Sequence, residues 1–236
     1  MKLSGRNLIG ILIGICSLVL MSTQTVHAAP GTPTIRIWDG IGDINTNSII
    51  IADGSSLDTS PLISNVVTYS GSYGVFNVIV SSGVQSGTSL YPELGLNTFE
   101  VSGGAGTLYA WFSNTGFGTT PTPAGFDMSG SLSSITGSGS VTFDSYIDNS
   151  NTLFGEGTLL ASLGSYTSTN SGTTSGTVSL SNPYSLTTKT TVNLTAGSNM
   201  QTTTNVAIVP EPVSTTLFIV GGATLGFRRF RKRFKK

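Results

Sequence analysis

From Tyr184 to Ala196 the chain alternates with a period of two. Tyr184, Leu186, Val192, Leu194 and Ala196 share one parity, while Thr187, Lys189, Thr191, Asn193 and Thr195 share the other. Such alternation puts one face in a core and one in water, which an extended strand does and a helix cannot. Val141, Phe143, Ser145 and Ile147, set against Thr142, Asp144 and Tyr146, repeat the pattern. Further strands are predicted at Thr34–Trp38, Ser48–Ala52, Ile63–Tyr69, Val75–Ser81, Thr98–Ser102, Thr107–Ser113, Phe126–Thr136, Thr158–Leu163 and Gly176–Leu180. Between them stand turn signals such as Ser82-Gly83, Gly103-Gly104, Gly137-Ser138-Gly139 and Ser171-Gly172, roughly ten residues apart. No stretch of the body carries a 3.6-residue apolar stripe. The expectation is an all-β fold, an antiparallel β-sandwich or jelly-roll-like body.

Both ends break this texture. Lys2 and Arg6 precede an apolar run from Leu8 to Met21, and Val26-His27-Ala28 supplies small residues for signal peptidase, so a signal peptide ending between Ala28 and Ala29 is predicted. Cys16 follows Ile13-Gly14-Ile15 and lacks the small residue directly before it that a lipoprotein signal needs. Near the other end, Val213 to Phe227 is apolar over about 15 residues, or about 22 Å as a helix. That is a short transmembrane span, which bilayer thinning and snorkelling side chains accommodate. Arg228, Arg229, Arg231, Lys232, Arg233, Lys235 and Lys236 then form a basic cluster that the positive-inside rule keeps cytoplasmic. Pro210 and Pro212 lack backbone N–H groups and favour extended neighbours, so Val209-Pro210-Glu211-Pro212 is expected to stand outside the membrane as an open strand. The predicted organisation is a signal peptide (1–28), a β body (29–197), a polar stalk (198–208) and a C-terminal signal (209–236).

Removing the ends exposes the charge of the body. The chain has 11 basic and 11 acidic residues, but from Ala29 to Val209 only Arg36 and Lys189 face ten acids, a net of −8. A body so balanced repels nucleic acid and anionic lipid, because phosphate binding needs clustered Lys and Arg. The one cysteine and one histidine, Cys16 and His27, fall in the predicted leader. Disulfides, thiolate chemistry, Cys/His zinc sites and histidine-based triads are thereby excluded from the body. A Ser-Lys pair fails too, since the residue three before Lys189 is Leu186.

Two chemistries remain. Glycoside hydrolysis needs only two carboxylates, for which Glu93, Glu100 and Glu156 are available, with Trp38, Tyr109 or Trp111 to stack on a sugar. The plainer reading makes these acids solvated surface and these aromatics core or sheet-face residues. Calcium has oxygen ligands on offer at Asp39–Asn47 and at Asp148, Asn149 and Asn151. Counted from Asp43, however, an EF-hand's glycine falls at Ser48 and its glutamate at Gly54, and Asp/Asn turns form without metal. No catalytic residue, metal site or cofactor is assigned.

Val209-Pro210-Glu211-Pro212, followed by the short span and basic tail, resembles the C-terminal sorting signal of PEP-CTERM proteins, exported bacterial proteins that exosortases are thought to process. The resemblance implies an exosortase-type membrane enzyme as partner, a membrane-anchored stage before processing, and a cell-surface or extracellular location after it. The body also resembles a domain seen in many such proteins, over roughly Asn97 to Asn205, through Tyr146-Ile147-Asp148-Asn149 running into Asn151-Thr152-Leu153-Phe154 and through Tyr184-Ser185-Leu186. The leading expectation is a structural or adhesive protein of the exopolysaccharide or biofilm layer. The alternative is a carbohydrate- or calcium-binding module, with a glycan-cleaving enzyme behind both. An exposed row of Trp and Tyr marks the binding class, and a cleft with converging carboxylates marks the enzyme.

Overall fold

The computed structural model describes residues 30–118 and 123–210. The predicted leader with Ala28 and Ala29, Glu211 and Pro212, the apolar span and the basic cluster all lie outside the described residues. Among the described residues no helix is long and apolar enough to cross a membrane.

The described residues form twelve strands: β1 (Thr34–Trp38), β2 (Ile49–Ala52), β3 (Val66–Tyr73), β4 (Phe76–Gly87), β5 (Pro92–Gly103), β6 (Gly106–Phe117), β7 (Ala124–Thr136), β8 (Gly139–Asp148), β9 (Thr158–Tyr166), β10 (Asn170–Val178), β11 (Tyr184–Leu194) and β12 (Asn199–Val209). They build two six-stranded sheets, one in the order β2-β1-β6-β11-β8-β9 and the other β10-β7-β12-β5-β4-β3. Every neighbouring pair is antiparallel. The two strands whose alternation is plainest in the sequence, β8 and β11, pair inside the first sheet, with Leu186 opposite Ile147 and Val192 opposite Val141.

Alternate residues of both sheets make the core. Ile35, Ile37, Leu108, Phe112, Phe143 and Val192 come from the first sheet, and Val78, Leu94, Phe99, Val101, Met128 and Val206 from the second. The two layers exclude water between them as stacked sheets do, about 10 Å apart.

Four sequence expectations change. The stretch predicted as a polar stalk is β12, held between β5 and β7 in the second sheet. Its inward residues are Met200, Thr202, Thr204, Val206 and Ile208, all buried. The two threonines break the apolar pattern, but their hydroxyls donate to the carbonyls of Phe99 (3.3 Å) and Ser129 (3.2 Å), so the strand buries them without orphaned groups.

Ser82-Gly83 lies within β4 and is not a turn. A Cβ at Gly83 would stand 3.1 Å from Ile35 and 3.2 Å from Phe112, so the glycine lets the opposite sheet approach closely. Ser171-Gly172 likewise falls inside β10, where the Tyr166 hydroxyl fills the place of a side chain. Finally, Thr187 of the expected wet face is fully buried, because the 149–157 loop folds over it.

Candidate functional site

The outward face of the first sheet gathers the body's cations and its tryptophans. Antiparallel register puts Ile50, Arg36, Trp111, Lys189 and Asp144 in one row running across five strands. The next row sets Trp38 opposite Tyr109 and Tyr109 opposite Thr191. The rings of Trp38 and Tyr109 stack at 5.4 Å with 28° between planes, and those of Tyr109 and Trp111 at 5.7 Å with 26°. A continuous aromatic run results, from a ring buried beside the row of charges to one half-exposed at the end of β1. The Trp38 indole N–H donates to the Ile41 carbonyl at 3.2 Å and so fixes the plane of the ring.

The 149–157 loop closes the other side of the run. Asp148 accepts from the amides of Ser150 (2.8 Å) and Thr152 (3.1 Å). Burial opposes the charge of Asp148, but these hydrogen bonds, with those of the Ser150 and Thr152 side chains, hold its carboxyl below the usual aspartate value. Asn151 accepts from the Gly116 amide at 2.7 Å, and the Phe154 amide donates to Ser113 Oγ at 3.0 Å. Phe154 is thereby pinned under Arg36, whose guanidinium carbon lies 4.2 Å from the ring centroid. Burial pulls the Arg36 pKa below its ordinary value.

Glu156 then reaches back over the sheet. Its Oε1 accepts from the Trp111 indole at 2.7 Å and from Lys189 Nζ at 3.0 Å. Lys189 Nζ also sits 5.2 Å from the Trp111 centroid and 5.8 Å from that of Tyr109. Beside this pair the Tyr146 phenol is pushed up to about 12, by burial first and then by the carboxylates of Asp144 and Glu156.

The predicted glutamates do not converge. Glu156 belongs to this face, whereas Glu93 and Glu100 sit on β5 of the other sheet. Glu93 accepts from Asn205 at 2.6 Å and Glu100 from Asn199 at 2.8 Å. Their β12 partners, Ala207 and Gln201, are six residues apart, or roughly 20 Å along a strand, beyond the roughly 5–10 Å of paired glycosidase carboxylates.

The Asp/Asn clusters spend their oxygens on backbone amides. Asp39 accepts from Ile41 N (3.1 Å), Asp43 from Asn45 N (2.8 Å) as cap of the single helical turn Ile44–Asn47, and Asn149 from Ser181 N (2.9 Å). Among the described residues no three His, Cys, Asp or Glu side chains stand close enough to hold a metal.

Of the sorting motif, Val209 pairs with Gly125 as the last residue of β12, and Pro210 is the first exposed residue beyond it. Val209 is thus part of the sheet, where an open strand was expected. What sequence reasoning missed was the assembly of Arg36, Lys189, Trp111 and Tyr146 on one face. The outward parity of each strand was readable, but their adjacency depended on the strand order.

No protein-family model matches the chain, and no curated protein matches it. Among solved structures it is similar to the adhesin domain of Epf from Streptococcus pyogenes, at 11% identity over 78% of this chain and 61% of that one, with a TM-score of 0.38. It is similar to the enzymatically active domain of tailspike protein 4 from bacteriophage CBA120, at 12% identity over 58% of this chain and TM-score 0.31, spanning 20% of that chain. A family 35 carbohydrate binding module from Clostridium thermocellum matches at 9% identity over 75% of this chain and 98% of that one, TM-score 0.25.

Proposed function

We propose that the protein is an exported, non-catalytic adhesive module whose aromatic face holds polysaccharide in the layer outside the cell. The observation that carries this reading is the stacked run Trp38, Tyr109, Trp111. Sugar rings present flat C–H faces, and fixed aromatic planes flanked by hydrogen-bonding groups recognise such faces without reacting with them. Lys189, Glu156 and Thr191 supply the polar flank. Trp38 and Tyr109 are the contact rings, and Trp111 supports them from its buried position.

The sorting reading fits this placement. β12 ends at Val209 with Pro210 exposed beyond it, while Trp38 and Tyr109 lie toward the Gly103–Gly106 end, where β12 begins. β12 runs roughly 30 Å between those ends. A body tethered through an exosortase-processed tail after Val209-Pro210-Glu211-Pro212 therefore offers its aromatic rings away from the membrane.

The test is retention on exopolysaccharide from the source organism. Trp38→Ala and Tyr109→Ala should each weaken binding about ten-fold, as loss of a central contact does. Undiminished binding by both variants refutes the face. Intact mass of surface-recovered protein tests the sorting: a C-terminus near Val209–Val213 supports it, and an intact Lys236 refutes it.

A further inference from the structure

Every sandwich has sheet edges whose unpaired N–H and C=O groups can recruit another strand, and natural proteins guard them with charge, proline, bulges or covering loops. Three of the four edges here are guarded. β2 is only four residues long. β3 is interrupted by a register shift and covered by the preceding loop: the Thr59 amide donates to the Thr68 carbonyl at 3.1 Å, and the Thr68 amide donates to Asp58 at 3.0 Å. β9 carries two register shifts against β8.

Among the described residues β10 has none of these devices. It pairs with β7 over nine consecutive residues, from Asn170 opposite Leu132 to Val178 opposite Ala124, without a shift. Among the described residues it pairs with no other strand, and Ser171, Thr173, Ser175 and Thr177 are exposed on its outward side. It contains no proline, and no charged residue occurs anywhere between Glu156 and Lys189. In a body of net charge −8, this is where two copies can approach without meeting each other's carboxylates.

We propose that β10 is a self-association edge, to which a second copy of the chain adds its own β10 antiparallel. The two second sheets then continue into one twelve-stranded sheet. The pairing is two-fold and consumes both free edges, so it closes as a dimer. The acid closest to this edge in register is Asp127, opposite Ser175 on β7. Across the joined edges two Asp127 side chains would be about 14 Å apart, three strand spacings, beyond the Debye length of about 8 Å. Pairing also brings two aromatic faces into one particle, which multiplies retention on a repeating polymer. The pairing itself does not depend on glycan binding.

The test uses the full chain displayed by its own cells. Ser171→Cys, Thr173→Cys and Ser175→Cys place single thiols along the outward side of the edge, and Thr203→Cys on the interior strand β12 is the control. With a short bis-maleimide, at least one edge variant should give cross-linked dimer at about ten times the control yield, since facing residues of paired strands lie about 5 Å apart. Adding Thr173→Lys and Ser175→Lys to Ser171→Cys should cut that yield about ten-fold by opposing like charges, with surface amounts unchanged. Dimer no greater than control at all three positions, dimer insensitive to the lysines, or cross-links solely to a different protein would each overturn the proposal.

Discussion

Lys189 and Glu156, 33 residues apart in sequence, close a 3.0 Å salt bridge against the ring of Trp111. The same carboxylate oxygen accepts from the Trp111 indole, so one side chain ties the 149–157 loop to two strands of the first sheet. Both partners are partly exposed, which limits the ion pair itself to about 1 kcal/mol or less. Glu156→Ala should therefore cost about 1–2 kcal/mol in all, most of it from the lost indole bond and the loosened loop. Urea unfolding with and without 1 M salt separates the parts: only the ion-pair share, the minor one, should shrink with salt.

Alkaline stability should report on Tyr146. Its ordinary value is 10.0 and its folded value about 12, so the unfolded chain gives up the proton first. The stabilisation is complete below pH 10 and is lost as pH rises through 12. Tyr146→Phe should melt at nearly the same distance from the parent at pH 7 and 9, and lose less stability than the parent by pH 11. A parallel decline in both proteins would show that Tyr146 is not the group responsible. Tyr184, Tyr69 and Tyr73, also raised by burial, add their own decline above pH 10 to both proteins, so Tyr146 is read from the difference between parent and variant.

Domain boundaries give a sharper test. A body ending at Gly197 lacks β12 and with it an interior strand of the second sheet, exposing Leu94, Phe99 and Met128. A body spanning residues 30–210 keeps it. The longer form should give a β-type circular dichroism spectrum, unaffected by reducing agent because it contains no cysteine, and the shorter one should be unfolded or aggregated. Equal folding of both would restore the stalk.

Along β11, Leu194→Asp should unfold the domain, at a cost of at least about 4 kcal/mol, by burying an unpaired carboxylate. Thr187→Asp should do the same, since the Thr187 hydroxyl lies buried 2.8 Å from Ser113 Oγ. Thr195→Asp, exposed in the turn after β11, should cost no more than its bonds to the Ser138 carbonyl and Ser198, about 1 kcal/mol. Chemical denaturation of the three variants ranks them.

Ten of the twelve strands were legible because their inward positions are apolar often enough to show period two, whereas β10 was read only at its end, as Gly176–Leu180, because its inward residues Gly172, Thr174 and Gly176 carry no apolar signal. β12 was hidden by Thr202 and Thr204, which read as polar linker but are β-branched residues able to satisfy their hydroxyls on backbone carbonyls. Ser82-Gly83 and Ser171-Gly172 looked like turns because glycine marks both a turn and a place where another chain segment packs close, and only the tertiary neighbours tell which. Trp38, Tyr109 and Trp111 were legible as stacking candidates, and Glu156 as a candidate acid for glycan cleavage. That Glu156 instead serves Trp111 and Lys189 followed from a loop whose path, set by Asn151 and Phe154 at positive φ, has no periodic signal.

The chain contains two tryptophans, Trp38 and Trp111, and both lie on the candidate face, so intrinsic fluorescence reports on that face alone. The most direct measurement is a fluorescence titration of the mature protein with size-defined exopolysaccharide fragments, beside Trp38→Phe and Tyr109→Ala. Binding at the face predicts a saturable change in the parent, reduced in Trp38→Phe, with an apparent Kd about ten-fold weaker in Tyr109→Ala. A flat fluorescence signal while calorimetry on the same samples records binding would place the glycan elsewhere and contradict the account.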